Sequence, residues 1–279
     1  MSAGVETIAD LVYARLDDGV SLYLDIHRPK GGQDVPAIVY FHGGGWRRGS
    51  RKDLLEERLR PLAALGIAVA SVSYRFVDEA TYPAQLHDAK AAVRWLRANG
   101  GDHGLRTDRI GAFGASAGGW IALMLGLTAG DRKLEGEIGD HTATDSSVQA
   151  IAAWFPTTNL ATTAAERESA GLPLPPFIQG PVPSLEAGLL GLSAVTDDLA
   201  AAQAASPVSH VANASGPVLL IHGDQDGLIN IAQSIALHDA LIAAGKGSQL
   251  MVLRGANHED PQFHRPAVLG AVAGFFSAP

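Results

Sequence analysis

The feature of this sequence that most constrains its fold is the alternation of short apolar runs with longer segments of helical periodicity. Eight runs have the length and pattern of β-strands, at residues 11–16, 21–27, 36–42, 67–74, 109–113, 148–155, 217–221 and 249–253. Helical patterns occupy residues 52–65, 83–99, 117–128, 231–244 and 266–276. Strands that alternate with helices along a chain form a parallel sheet that is covered by helices on both faces. We therefore predict an α/β fold with a mostly parallel central sheet of about eight strands, which opens with a hairpin whose turn is the Asp-Gly pair at residues 18–19.

Charge and cysteine content exclude several classes of function. The formal net charge is −8, so the chain offers no basic field to attract nucleic acid or anionic lipid. It contains no cysteine, which excludes disulfide bonds, thiolate metal sites and a cysteine nucleophile. The N-terminal stretch lacks the cationic and apolar regions of a signal peptide, and no apolar run approaches the roughly 20 residues that a membrane crossing requires. We therefore predict a cytoplasmic protein that has neither nucleic acid nor a membrane as partner.

Residues 114–118 read GASAG and match the G-x-S-x-G nucleophile elbow. The elbow is a sharp turn from a strand into a helix, so the residues beside the serine must be small, and here they are alanine and glycine. The context also fits, because an apolar strand precedes Ser116 and a helical pattern follows it. The start of that helix directs the amide of Ala117 toward the reacting oxygen. The motif therefore predicts Ser116 as a catalytic nucleophile.

Residues 42–46 read HGGGW and lie between an apolar strand and a helical segment. Consecutive glycines allow bare backbone amides to point into a cavity, as an oxyanion hole requires. A flexible turn is one alternative. A phosphate-binding loop is another, but it would need a lysine followed by serine or threonine, and Trp46 and Arg47 follow the glycines here. We expect His42 to pin the loop, while Trp46 either lines a pocket or packs beside it.

A carboxylate and an imidazole follow the last two predicted strands. The turn at residues 222–226 reads HGDQD, and it lies at the C-terminal edge of the sheet, where parallel folds bind their ligands. Of its two aspartates we favour Asp226, because Asp224 follows the strand directly and is better placed to hold the turn. His258 comes after the last strand and completes the order serine, aspartate, histidine. No pair of histidines has metal-site spacing such as H-E-x-x-H, so we predict neither a metal nor another cofactor.

The chain is predicted to form a single domain over residues 1–279, with one insertion. Hydrophobic residues make up 47% and charged residues 18% of the chain, as in packed globular proteins, and no repeat or linker divides it. Residues 161–205 are rich in alanine, leucine, glycine and proline and have no strand pattern. Because a long insertion in a compact domain is usually functional, we predict a cap-like segment over the active site; the alternative is a surface excursion that covers one sheet edge. The apolar residues placed to pack over a pocket are Leu172, Leu174, Phe177, Ile178, Leu189 and Leu190.

Taken together, these motifs resemble those of the esterase/lipase branch of the α/β-hydrolases. The sequence is similar to the hormone-sensitive-lipase group and to the BD-FAE-like group, which comprises bacterial feruloyl esterase-like proteins. The resemblance spans residue 36 to the C-terminus. It is carried by HGGGW at 42–46, YPAQLHD at 82–88, GASAGG at 114–119, SPVSH at 206–210 and HGDQD at 222–226. It implies an α/β-hydrolase fold.

The resemblance also implies roles for individual residues. Ser116 is matched to the nucleophile, Asp226 to the acid and His258 to the base of a catalytic triad. The implied oxyanion hole consists of the amides of Gly44, Gly45 and Ala117.

The chain departs from these relatives in two places. Trp120 stands where they often carry histidine, and residues 155–159 read FPTTN where they often read GPTD. The second stretch lies near the acyl pocket in the family, so substrate preference is affected more than chemistry. The residues predicted to line the substrate pocket are Trp46, Phe155, Leu189 and Leu190.

The activity implied by the resemblance is hydrolysis of carboxylic esters through an acyl-enzyme intermediate. We expect short acyl chains, because the sequence has no large separate lid domain for long lipids. Hydrolysis of an arylformamide or a peptide by the same triad is an alternative, since a fold does not determine a function. A noncatalytic binding protein would be expected to lack a triad residue, and all three are present. The predicted partner is a small-molecule ester, and a homodimer is compatible with the sequence.

Overall fold

A central sheet organises the chain in the computed structural model, which describes residues 4–172 and 183–278. Its strands are β1 (Val5–Arg15), β2 (Ser21–Pro29), β3 (Val35–Phe41), β4 (Ala68–Val72), β5 (Leu105–Ala115), β6 (Ala150–Trp154), β7 (Val218–Gly223) and β8 (Ser248–Leu253). In that part of the chain these eight strands follow the order β1-β2-β4-β3-β5-β6-β7-β8. β2 runs antiparallel to β1 and β4, and the other neighbouring pairs are parallel. The prediction of an α/β fold with a mostly parallel sheet is confirmed.

Helices cover both faces of the sheet. They are α1 (Arg60–Ala64), α2 (Ala84–Asn99), α3 (Ala117–Leu127), α4 (Thr163–Ser169), α5 (Leu185–Leu190), α6 (Leu199–Ala204), α7 (Ala232–Ala243) and α8 (Pro266–Ser277). Short 3-10 segments lie at Gly100–His103, Val195–Asp197, Pro207–Asn213 and Pro261–His264. None of the helices in the two described segments is both long and apolar enough to cross a bilayer.

The burial of β3 shows how the sheet separates two apolar layers. Val39 and Phe41 pack in the layer that contains α2 and α3, whereas Ile38 and Tyr40 pack in the layer that contains α1 and α8. Successive side chains of a strand point to opposite faces, so a strand buried on both faces must be apolar at every position. This is why β3 appears in the sequence as an unbroken apolar run.

The helix predicted at residues 52–65 is shorter than expected and follows a wider turn. Leu55–Leu59 forms a π-helical turn, and α1 begins only after it. Pro61 accounts for the break, because proline cannot donate a backbone hydrogen bond and its ring would collide with the carbonyl four residues earlier in a continuous α-helix. The extra residue in the turn directs two consecutive side chains, Arg58 and Leu59, into the interior.

The predicted cap-like insertion at residues 161–205 is helical where the structure describes it. α4, α5 and α6 lie within it, and its described residues contain no strand. Leu189 is buried, and its carbonyl accepts a hydrogen bond from the Tyr82 amide at 2.8 Å, which fixes α5 beside the start of α2. Three of the residues predicted to pack over a pocket lie outside the described residues: Leu174, Phe177 and Ile178. The covering role of the insertion stays a prediction.

Candidate active site

Three side chains that lie far apart in the sequence meet at the C-terminal edge of the parallel strands. Ser116 follows β5, Asp226 follows β7 and His258 follows β8. The Nε2 atom of His258 lies 3.1 Å from Ser116 Oγ, and its Nδ1 atom lies 2.8 Å from Asp226 Oδ2. The structure therefore brings the three predicted residues into one chain of hydrogen bonds, from hydroxyl to imidazole to carboxylate. Open α/β sheets bind their ligands at this edge.

Ser116 lies on a sharply turned backbone between β5 and α3. Its φ is 55° and its ψ is −121°, a conformation that persists only where the surroundings enforce it. The Ser116 amide donates to the carbonyl of Trp154, at the end of β6, at 2.8 Å. A Cβ atom at Gly114 would overlap the carbonyl of Gly118, and one at Gly118 would overlap the carbonyl of Phe41. Both glycines of the motif are thus required by close packing of backbone on backbone.

Asp226 is 6% exposed, and both of its carboxylate oxygens are surrounded by donors. Oδ1 accepts the amides of Leu228 and Ile229, each at 2.8 Å. Oδ2 faces the imidazoles of His258 at 2.8 Å and His222 at 3.2 Å. Burial by itself raises the pKa of Asp226, but the hydrogen bonds from the two histidines outweigh it and hold this pKa well below its ordinary value. Because the ionised carboxylate only accepts, Nδ1 of His258 carries the proton, and Nε2 is left to accept from the serine hydroxyl.

The loops that carry the carboxylate and the imidazole are joined by a side chain that sequence reasoning missed. Asn257 Oδ1 accepts the amide of Gly227 at 2.9 Å and the amide of His258 at 2.7 Å. The only signal in the sequence was its position directly before the histidine. Asp224, the alternative acid, is exposed, and its Oδ1 atom accepts the amide of Gly255 at 2.7 Å. It holds the turn, while Asp226 faces the imidazole.

The glycine-rich loop at residues 42–46 is anchored by His42. The His42 ring stacks on the ring of Tyr74 at 4.5 Å, and the Tyr74 hydroxyl donates to the His42 carbonyl at 2.9 Å. Burial lowers the pKa of His42, so the ring is neutral at physiological pH. Its Nδ1 atom donates to the Gly43 carbonyl at 2.7 Å. His42 thus has the structural role that the sequence suggested.

Two of the three predicted oxyanion-hole residues have backbones suited to that role. Gly44 has a φ of 122°, and a Cβ atom there would overlap the carbonyl of Arg48, so the position requires glycine. Ala117 is the first residue of α3. The first amides of a helix have no acceptor within it, and the helix dipole makes this end positive.

The contacts of the loop distinguish Gly43 from Gly45. A Cβ atom at Gly45 would meet Leu185 of α5, at 3.0 Å from its Cδ1 atom. One at Gly43 would lie 3.5 Å from the Cβ atom of Ser116 and 3.2 Å from the carbonyl of Ala115. The structure therefore places Gly43, which the sequence did not single out, directly against the nucleophile.

The residues predicted to line a substrate pocket are mostly enclosed. Trp46 is 2% exposed, Phe155 and Leu189 are fully buried, and Leu190 is partly buried. Trp46 packs edge-on against Trp120, with ring centres 5.5 Å apart. The ring centre of Phe155 lies 4.4 Å from that of the His258 imidazole. Their role in lining a substrate pocket stays a prediction.

Trp120 connects the helix that begins at the nucleophile with the insertion. Its ring packs on Trp46 and also on Tyr82, at 5.7 Å from the latter. Its Nε1 atom donates to the carbonyl of Ala205 at 2.9 Å. Trp120 thus ties the end of the insertion to α3.

A cavity of about 360 Å³ lies between α4 and α5. Its lining includes Arg167, Leu172, Leu185 and Glu186. Because Leu185 also faces Gly45, the cavity borders the glycine-rich loop on the side of the insertion. A concave surface of mixed apolar and charged lining is suited to a small molecule.

The mostly parallel sheet and the strand–turn–helix at Ser116 define the α/β-hydrolase fold. The order of Ser116, Asp226 and His258 along the chain is the order of that fold. Residues 24–241 match the family model described as BD-FAE. The chain therefore belongs to the BD-FAE family, which confirms the resemblance seen in its motifs.

Curated relatives include two esterases of Mycobacterium tuberculosis strain H37Rv. Esterase LipQ is 28% identical over 214 residues, which cover 77% of this chain and 47% of LipQ. Esterase LipC is 29% identical over 246 residues, which cover 87% of this chain and 57% of LipC. The chain spans about half the length of these relatives.

A solved structure extends the likeness to nearly the whole chain. The truncated form of a carbohydrate esterase from gut microbiota aligns with a TM-score of 0.85 at 25% sequence identity. The alignment covers 99% of this chain and 96% of that protein. The likeness of fold therefore extends over nearly the whole length of both chains.

Proposed function

We propose that this protein is a serine carboxylesterase, which hydrolyses short-chain carboxylic esters through an acyl-enzyme formed on Ser116. The observation that carries this proposal is the hydrogen-bond chain from the Ser116 hydroxyl through His258 to Asp226. A serine hydroxyl is a weak nucleophile, and this arrangement supplies the base that activates it. LipQ, LipC and the aligned carbohydrate esterase bear the word esterase in their names, which supports the same class.

In the acylation step, Ser116 Oγ attacks the ester carbonyl carbon while His258 Nε2 takes the hydroxyl proton. Asp226 stays ionised, stabilises the imidazolium and holds its tautomer. The carbon–oxygen bond to the alcohol then breaks, and His258 returns the proton to the leaving oxygen. Water attacks the acyl-enzyme with His258 again acting as base, which releases the carboxylic acid and restores the serine hydroxyl.

We assign the oxyanion hole to the amide of Ala117 together with amides of the glycine-rich loop. Gly44 remains a donor in this assignment, because its conformation excludes any side chain. The contact of Gly43 with Ser116 favours Gly43 as a further donor over Gly45, whose Cα atom faces Leu185. In comparable enzymes each such donor lowers the barrier by roughly 3 kcal/mol.

The packing around the nucleophile supports a preference for short acyl groups. The ring of Trp46 is buried against Trp120 of α3 and that of Phe155 against the imidazole of His258, so a long acyl chain that entered either region would have to displace a packed ring. The likeness to a carbohydrate esterase suggests a sugar as the alcohol component of the ester. We therefore propose a short-chain acyl ester, such as an acetylated sugar, as the substrate class.

The substitution Ser116→Ala tests the nucleophile. We expect kcat for p-nitrophenyl acetate to fall by about 10⁴-fold or more, because the acyl-enzyme cannot form. Ser209→Ala, at an exposed serine of the 3-10 segment Pro207–Asn213, is the control and should retain wild-type activity. A Ser116→Ala protein that hydrolyses the ester at the wild-type rate would show that the nucleophile lies elsewhere.

A substrate panel separates the proposed activity from its alternatives. It contains p-nitrophenyl esters of increasing acyl length, acetylated xylo-oligosaccharides, methyl ferulate and N-formylkynurenine. We expect kcat/KM to be highest for the shortest acyl esters. A higher kcat/KM for N-formylkynurenine would instead favour an arylformamidase.

A further inference from the structure

The most completely buried charge near the site belongs to a residue that the mechanism above does not use. Arg58 is 0% exposed and projects inward from the π-helical turn that precedes α1. Its Nη1 atom donates to the Tyr40 hydroxyl at 2.7 Å, and its Nη2 atom forms an ion pair with Glu259 and donates to His264 Nε2 at 2.9 Å. Its guanidinium carbon lies 4.5 Å from the ring centre of Trp154. One cation therefore contacts three separate parts of the chain: β3, the end of β6 and the stretch between β8 and α8.

Two of these partners connect Arg58 to the reacting groups. Glu259 directly follows His258, so the ion pair holds the loop that carries the imidazole. Trp154 ends β6, and its carbonyl accepts the amide of Ser116 at 2.8 Å. The guanidinium thus fixes both the imidazole loop and the strand end that holds the nucleophile backbone.

The residue type and its surroundings suit this task. Both terminal nitrogens of the buried Arg58 guanidinium are paired, whereas its Nε atom has no hydrogen-bond partner among the described residues. The planar fork of a guanidinium can serve several acceptors in fixed directions, and this pairing offsets the cost of burying the charge. A lysine ammonium is a point charge and cannot reproduce that geometry. His264 must be neutral to accept from Arg58, and burial together with the arginine charge lowers the pKa of His264, in agreement with that role. Glu259 has a φ of 53°, which shows that the loop is held in an unusual conformation beside the ion pair.

We propose that Arg58 is a positioning residue for His258, which acts through its ion pair with Glu259 and its contact with Trp154. The inference rests on the proposed function, since it requires that the imidazole serve Ser116. It predicts that loss of the guanidinium disturbs the alignment of Nε2 and Oγ while substrate binding is preserved.

The test compares Arg58→Met, Arg58→Lys and Glu259→Gln with Arg94→Met. Arg94 is a matched control, because it is 1% exposed and donates to the carbonyls of Glu135 and Ile138, each at 3.0 Å, away from the site. Active sites are counted by stoichiometric reaction with an organophosphonate, so that kcat is expressed per competent Ser116. KM for p-nitrophenyl acetate and the melting temperature are measured in parallel.

For Arg58→Met we expect kcat per titrated site to fall by about tenfold to a hundredfold with KM changed less than about twofold, because misalignment slows chemistry without removing a substrate contact. Arg58→Lys should recover only a minor part of this loss. Arg94→Met should lower the melting temperature and keep kcat per titrated site. The inference is overturned if Arg58→Met loses stability as Arg94→Met does and keeps the wild-type kcat per site.

Glu259→Gln provides an independent outcome if Arg58→Met does not fold, because the Glu259 side chain is 36% exposed and better tolerated as a substitution site. We expect a decrease of several-fold in kcat with KM retained, and an unchanged kcat would overturn the route through Glu259.

The double variant Arg58→Met/Glu259→Gln should be no slower than Arg58→Met, and multiplicative losses would count against a shared route. Wild-type protein that takes no phosphonate at Ser116 would refute the proposed function itself, whereas normal labelling with unaffected variants refutes this inference alone.

Discussion

The two sides of Ser116 are built in different ways. On the side of proton transfer, side chains determine the geometry: Asp226 accepts from four donors, and Asn257 joins two loops. On the side of the oxyanion hole, backbone shape determines it, since Gly44 and Gly118 each stand where a Cβ atom would overlap a carbonyl. The first side is therefore sensitive to the exchange of a single polar atom, and the second to the addition of a single carbon.

The largest effect is expected on the proton-transfer side. Asp226→Asn preserves the shape of the side chain, but an amide can donate to His258 Nδ1 and so favours the wrong tautomer of the imidazole. We expect kcat for p-nitrophenyl acetate to fall by about 10⁴-fold while the protein remains folded. Asp224→Asn is the matched control, and its kcat should stay within about twofold of the wild type, because Asp224 holds a turn. Equal losses in the two variants would remove the distinction between the aspartates.

A smaller effect is expected on the oxyanion side. Gly44→Ala adds a Cβ atom that meets the Arg48 carbonyl and must displace the loop. We expect kcat to fall by about 10²- to 10³-fold, which corresponds to the loss of one oxyanion donor. Gly130→Ala is the control, because Gly130 also has a positive φ, of 76°, but has nothing within 4 Å of the added atom. Comparable losses of kcat in both variants would show that the effect comes from backbone strain in general.

The smallest effect concerns stability in acid. The native pKa of Asp226 lies below its ordinary value, so the native state binds fewer protons than the unfolded state near the ordinary pKa of about 3.9. The stabilisation from the ionised carboxylate is therefore complete above the ordinary pKa. It is lost as the pH falls toward the native pKa of Asp226. We expect the free energy of unfolding of the wild type, minus that of Asp226→Asn, to decrease as the pH falls below about 4. Urea titrations of both proteins between about pH 6 and pH 3 measure this difference, and a constant difference would contradict the assignment.

Local motifs made most of the fold and the polar groups of the site predictable. Ser116 and Asp226 each lie in a short stretch whose glycines and flanking strand specify where the element ends, and the structure places both at that edge. The apolar run of β3 required a strand buried on both faces, which is what the sheet contains. In these cases the sequence near the residue carries the physical constraint.

Other features depend on contacts that no local pattern records. Asn257 acts on a residue 30 positions away, and Arg58 pairs with one 201 positions away. Apolar character does not distinguish a side chain that lines a pocket from one packed in the core. The structure buries Trp46, Phe155 and Leu189, and their contact with a substrate stays a prediction. Helical periodicity did not predict the wider turn before α1 for a similar reason. Pro61 changes the backbone hydrogen bonding while the apolar pattern continues through it.

The hydrogen bond from Trp120 to Ala205 has a consequence for protein engineering. Suppose that the segment at residues 161–205 is replaced by that of a homologue that carries histidine at the position of Trp120. The replacement brings in one partner of this contact without the residue on α3 that matches it. A functional chimera must therefore bring the matching residue on α3 together with the foreign segment. In this protein, the insertion and the helix that begins at the nucleophile have to be inherited as a unit.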